Sequence, residues 1–153
     1  MKKRLDQLNT LFVAGLFISF IAIIVCVILQ ILSRYIFNQP LTWTEEISLF
    51  AFCWFTFTGS AVCSWENSHL EVDFFYNRMG KGVKKAADIC ILFLVSILSI
   101  FMVWDATVAM KAQAGITSVA LRLPVPWYTL AIFLGFTGIT VFTLYHLIRK
   151  ISS

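Results

Sequence analysis

The chain has 153 residues, of which 59% are apolar and only 13% charged, and its mean hydropathy is +0.85. A soluble globular domain carries roughly 25% charged residues, so this composition excludes one and places the chain in a membrane. The net charge of +4 would suggest an anionic partner in a soluble protein; here the placement of the cations matters more than their sum, and no nucleic-acid role follows from it.

The first apolar run follows Met1-Lys2-Lys3-Arg4 and extends over about residues 8–33. It is longer than a signal-peptide core of roughly 7 to 15 residues and no A-x-A-like cleavage pattern follows it, so a retained transmembrane helix is expected. Three further spans are expected at about 43–66, 86–110 and 123–148, each near the roughly 20 residues that cross a hydrocarbon core. Four such helices joined by short connections predict a single all-α membrane domain over residues 1–153.

Between the first two spans the chain gathers charge that its flanks exclude. No charged residue lies between Asp6 and Arg34, and none between Glu46 and Glu66. Arg34 closes the first run, where a cation meets the negative end of the helix dipole and extends its head to lipid headgroups. Tyr35, Phe37 and Trp43 suit the same depth, because amphipathic rings favour the interface. Asn38-Gln39-Pro40 turns the chain. Thr42 and Glu45 have the spacing of a capping box for the second helix, and Glu45 and Glu46 sit at its positive dipole end. An ordinary interfacial hairpin accounts for each of these features.

The connection from Glu66 to Lys85 repeats Leu70, Phe74, Met79 and Val83 at near-helical spacing until Gly80-Lys81-Gly82. A short amphipathic interfacial helix between spans 2 and 3 is expected, with a basic end toward anionic lipid or, as an alternative, a cytoplasmic partner. Orientation follows from the cations. Nine Lys and Arg flank the N-terminus, the 66–85 connection and the C-terminus, against Arg34, Lys111 and Arg122 on the other side. Both termini are therefore expected in the cytoplasm, with the Arg34 to Glu46 junction and the Lys111 to Arg122 loop outside.

Chemistry-bearing groups are sparse. Asp105, in the third span toward Lys111, is the intramembrane charge nearest a span centre; it either pairs with Arg122 or Arg34 or reaches headgroups, and a proton-coupling role is disfavoured. Pro124 and Pro126 lie at the start of the fourth helix, not mid-span where broken helices mark substrate sites. Gly15, Gly59, Gly135 and Gly138 fit close helix packing. Cys26, Cys53, Cys63 and Cys90 form no C-x-x-C pair and read as small buried hydrophobes. His69 and His146 alone make a poor metal site. No catalytic, cofactor or metal site is expected.

Arg34-Tyr35, Phe37-Asn38, Pro40-Leu41, Trp43 and Glu45-Glu46 resemble the RY-x-FN-x-PL-x-W-x-EE signature of the DctQ-like family, the small membrane subunits of tripartite ATP-independent periplasmic (TRAP) transporters. His69-Leu70-Glu71-Val72-Asp73 resembles the family's H-[IL]-x-V-D element, and Leu121 to Trp127 its proline-containing start of the last helix. The resemblance implies a non-enzymatic scaffold subunit of the bacterial inner membrane that packs on a large elevator-type permease and on lipid. It also implies a periplasmic binding protein that delivers an organic acid, either a dicarboxylate or an acidic sugar such as sialic acid. Sodium is then expected on the large subunit. Structural or assembly roles carry over to Arg34, Tyr35, Asn38, Pro40, Trp43, Glu45, Glu46, His69 and Asp73, with Asp105 added from its position. The alternative is a four-span chain acting alone, as a homo-oligomeric transporter or a membrane enzyme.

Overall fold

Long uncharged runs of Leu, Ile, Val and Phe leave a backbone in lipid one economical solution, which is to bond its own amides and carbonyls within a helix. The computed structural model describes residues 2–36, 38, 41–66 and 81–151. It contains four helices: α1 (Lys2–Ile36), α2 (Thr42–Trp65), α3 (Lys81–Ala112) and α4 (Pro126–Ile151). Each is long and apolar enough to cross a membrane. The amphipathic helix expected around residues 70–79 lies outside the described residues.

The helix ends depart from the expected spans for local reasons. α1 begins at Lys2 because its polar first turns also stay helical, with Thr10 Oγ1 donating to the Asp6 carbonyl at 2.9 Å. α3 begins at Lys81, ahead of the apolar run. α4 begins at Pro126, not near 123, because Leu123 and Val125 are engaged in a short hairpin with Ser118 and Ile116. Proline at the first helical position loses no hydrogen bond, since that amide has no intrahelical partner.

The expected capping box does not form. Thr42 is already inside α2, the cap residue is Leu41 in extended geometry (φ −84°, ψ 96°), and no side chain caps it. Glu45 therefore stands one position too far along to reach back as a capping-box acid. The buried Thr44 hydroxyl donates to the Leu41 carbonyl at 2.7 Å instead. Upstream, Asn38 makes the bend between α1 and α2 with φ of 51°, a left-handed conformation that asparagine tolerates better than most residues.

The major contacts run α1 to α2, α2 to α4, and α4 to α3. The helices thus form a row in the order α1-α2-α4-α3, and among the described residues α1 and α3 do not pack together to close a bundle. Small residues set the spacing. A Cβ on Gly135 would lie 2.6 Å from Phe57 Cβ and 2.8 Å from the Phe57 carbonyl oxygen, so α4 rests directly on the α2 backbone. Gly138 admits the Phe12 ring, whose Cζ would be 2.7 Å from such a Cβ. Between α3 and α4 the contact is polar, with the Ser96 and Thr143 hydroxyls 3.2 Å apart and those of Ser99 and Thr140 2.9 Å apart. Such interhelical bonds in lipid contribute about 0.6 kcal/mol each.

At the end carrying the chain termini, Leu5, Ala61, Ile139 and Phe142 form a buried cluster with Phe12, Trp65 and Tyr145 packed against it. His146 Nε2, when protonated, donates to the Trp65 carbonyl at 3.0 Å, so α4 supplies a partner for the last turn of α2. Lys150 is ion-paired with Asp88, tying the end of α4 to the start of α3. The opposite end carries the hairpin. Away from these seams Phe17, Ile18 and Ile21 of α1 and Leu98, Phe101 and Trp104 of α3 are exposed.

Gly135→Ala is expected to lower the thermal midpoint of the detergent-solubilised chain more than Gly59→Ala does. The new methyl at 135 meets backbone, whereas at 59 it meets only the movable Leu16 Cδ1 at 3.1 Å. Overpacking of the first kind costs about 1–3 kcal/mol. Tryptophan-fluorescence melts of the two variants measure the difference, and equal midpoints would show that the α2–α4 contact does not limit stability.

Candidate functional site

The distinctive polar arrangement lies at the hairpin end and is built by Glu46. Residues 116–125 between α3 and α4 pair as a small antiparallel hairpin, with a bridge between Thr117 and Pro124. Ser118 N donates to Leu123 O at 2.8 Å and Val125 N to Ile116 O at 2.9 Å. Pro124 has no amide to offer, which is tolerable at an unpaired edge.

Glu46 fastens the tip of this hairpin to α2. Ala120 N donates to Glu46 Oε1 at 2.7 Å, Leu121 N to Oε2 at 2.8 Å, and the Ser118 hydroxyl to Oε2 at 2.8 Å. Consecutive backbone amides aimed at one carboxylate form an anion-binding concavity, and bonds to an ionised acceptor are the stronger class. Ser118 Oγ also accepts from Leu123 N at 3.0 Å, linking the clasp to the hairpin's own ladder. Tyr128, in the first turn of α4, donates to the Glu46 carbonyl at 3.4 Å and sets its ring edge-on against Phe50 at 5.3 Å. Gln113, at the end of α3, accepts from the Thr129 hydroxyl of α4. Arg122 completes the turn with φ of 53°, a conformation costing a residue with a Cβ roughly 1–2 kcal/mol, and the bonds from Ala120 and Leu121 hold the tip in it.

The other expected site residues fall in different places. Arg34 is exposed in the last turn of α1, and Glu45 is exposed in the first turn of α2. Both line an open cleft with Gln30, Ile31 and Tyr35, and no ion pair joins them. Tyr35 and Trp43 are exposed rings and Asn38 is the left-handed bend residue. Pro40, His69 and Asp73 lie outside the described residues. Asp105 is exposed on α3 and, among the described residues, is paired with neither Arg122 nor Arg34, because its side of α3 faces away from the seam with α4. No group of three metal-ligating side chains occurs among the described residues.

Sequence reasoning named Glu46 but not its partners. Two are main-chain amides, and Ser118 stands in a stretch read only as a loop. The available signal was the pair Pro124 and Pro126, which delays the helix and leaves room for an extended segment.

The family described as the DctQ component of tripartite ATP-independent periplasmic transporters matches residues 23–153, from the middle of α1 through the clasp to the C-terminus. The chain belongs to the DctQ family. Two relatives from Haemophilus influenzae support that placement. One is a sialic acid TRAP transporter permease protein, 36% identical over half of this chain and 12% of its own length. The other is a putative TRAP transporter small permease protein, 36% identical over 40% of this chain and 39% of its own length. The matched regions thus span well under half of either relative. With four helices long and apolar enough to cross a membrane, this DctQ protein is a multi-pass protein of the bacterial inner membrane, and its family is a transport component, not an enzyme.

Glu46→Ala is expected to raise amide exchange at Ala120 and Leu121 by about tenfold or more, since local opening then releases the hairpin tip. Glu46→Gln should be intermediate, because its amide keeps one accepting oxygen. Hydrogen–deuterium exchange with peptide-level mass spectrometry reads this directly. Unchanged protection over residues 118–123 in Glu46→Ala would remove the clasp.

Proposed function

We propose that this chain is the scaffold-type small permease subunit of a sodium-coupled TRAP transporter that imports an organic acid. Family membership over residues 23–153 is the observation that carries this reading. In it, the exposed apolar faces of the helix row pack against a large permease subunit and lipid. A row of four helices that leaves Phe101, Trp104, Phe17 and Ile18 uncovered suits assembly with a larger partner.

Both termini lie in the cytoplasm in this proposal, by the nine-to-three bias of Lys and Arg. The hairpin then faces the periplasm, where a binding protein delivers the solute, and the clasp keeps that docking surface in one shape. The substrate is a dicarboxylate or an acidic sugar such as sialic acid; similarity to a permease named for sialic acid favours the latter. Sodium is bound by the large subunit. No cofactor is assigned to this chain.

Affinity purification of the tagged chain from its native membrane in mild detergent, followed by mass spectrometry, tests the reading. A stoichiometric large multi-span permease is expected. Recovery of the chain alone or as a homo-oligomer would overturn it. Within the intact transporter, Asp105→Asn is expected to leave the sodium dependence of uptake unchanged, and an altered sodium-to-solute ratio would move ion chemistry onto α3. The double variant Glu45→Ala, Glu46→Ala is expected to reduce complex yield or uptake severalfold through loss of the clasp. Wild-type yield and uptake would leave these two carboxylates without an assembly role.

A further inference from the structure

The cleft where α1 meets α2 holds opposite charges that do not neutralise each other. Arg34 enters it from the last turn of α1 and Glu45 from the first turn of α2, with Gln30, Ile31 and Tyr35 completing the wall. No ion pair or hydrogen bond engages Arg34 or Glu45 among the described residues. The cleft encloses about 460 Å³, within the roughly 300–1,000 Å³ typical of small-ligand sites. Its position is amphipathic. Below Arg34 the surface of α1 continues as exposed Ile31, Ile28 and Ile24, while Tyr35 stands 79% exposed at the rim, the depth at which aromatic rings meet headgroups.

We propose that this cleft binds the headgroup of a phospholipid carrying a primary ammonium, of the phosphatidylethanolamine type. The guanidinium of Arg34 presents a planar donor fork that matches phosphate oxygens, and the Glu45 carboxylate accepts from the ammonium N–H groups. The acyl chains then run along the exposed isoleucines of α1. The pairing selects among lipids. A trimethylammonium headgroup has no N–H to donate to Glu45. A glycerol headgroup leaves its phosphate on Arg34 but offers Glu45 only neutral hydroxyl donors, without the charge of an ammonium. The site depends on the membrane location of the chain and not on the substrate or partners proposed above, so either reading stands or falls without the other.

Lipid exchange with native mass spectrometry tests the site on the full chain as it purifies from its membrane. The protein is delipidated and equilibrated with equal amounts of phosphatidylethanolamine, phosphatidylcholine and phosphatidylglycerol of identical acyl chains. Wild type is expected to retain phosphatidylethanolamine about tenfold over the other two, the discrimination that one charge-assisted contact provides. Arg34→Gln should lower that retention by a similar factor. Glu45→Gln should keep phosphate binding but abolish the headgroup preference, which a generally destabilised protein would not do. Lys111→Gln, an exposed cation outside the cleft, should match wild type. Equal retention of all three lipids by wild type, a preference for phosphatidylglycerol, or unchanged retention in the Arg34→Gln, Glu45→Gln double variant would overturn the proposal. It is likewise overturned if the double variant sheds a co-purifying protein while its lipid retention is unchanged, which would make the cleft a protein contact.

Discussion

The direct seating of α4 on the α2 backbone, at Gly135 against Phe57, is the constraint around which the other contacts are arranged. Lipid tails solvate apolar side chains as well as another helix does, so helices in a bilayer associate through close van der Waals fit and polar contacts. Gly135 removes the side chain that would hold α4 off, and Gly138 repeats the allowance a turn later for Phe12 and Ala61. With α2 and α4 thus joined, each has one flank left. α1 takes the flank of α2, and α3 takes that of α4 through the facing hydroxyls of Ser96, Ser99, Thr140 and Thr143. A row, and not a ring, is the outcome.

The two ends of that row are secured by different means. At the termini end the ties are a ring cluster around the fully buried Phe142, the His146 bond to the Trp65 carbonyl, and the pair between Lys150 and Asp88. At the hairpin end a single carboxylate gathers three donors from one loop. The first kind of tie joins helix to helix. Glu46 instead joins a helix to a connection, which fixes the attitude of an exposed loop relative to the membrane-embedded part. Val119, almost completely exposed at the tip, therefore projects from a supported base and not from a free strand.

Much of this was legible in the sequence, and the failures share a cause. The four spans follow from uncharged runs, and the packing glycines follow from their isolation among bulky residues. The turn was legible in Asn38-Gln39-Pro40 as a unit, while the left-handed conformation of Asn38 came from the structure. What could not be read were partners distant along the chain or lacking a side chain of their own. Glu46 meets Ser118 across 72 residues and the amides of Ala120 and Leu121 across 74 and 75, so only its dipole position was visible locally. The Thr42 capping box failed by a single residue, because the helix starts after Leu41 and carries Glu45 out of register. For Asp105 the sequence left pairing with Arg122 or Arg34 and reaching headgroups equally open, because charge alone does not fix its rotation about α3, which Ser96, Ser99 and Ala106 set by facing inward. The lateral order of the helices was hidden as well, since α1 is apolar around its whole circumference and declares no preferred face.

The length of α1 has a consequence for the membrane itself. Its 35 residues rise about 52 Å at 1.5 Å per residue, against a hydrocarbon core of roughly 30 Å, whereas the 24 residues of α2 rise about 36 Å. The difference lies largely in the polar first turns of α1, from Lys2 to Thr10, which extend the helix beyond its apolar run. Mismatch is set by the apolar stretch and not by the whole helix, so these turns project toward headgroups and water while the apolar part alone spans the core. Leu5 and Phe12, near that end of α1, pack against Phe142 of α4, so the long helix is pinned to the α2–α4 seam at the termini end. The extra length of α1 is thus held over the ring cluster at the termini end and not left free at the edge of the row.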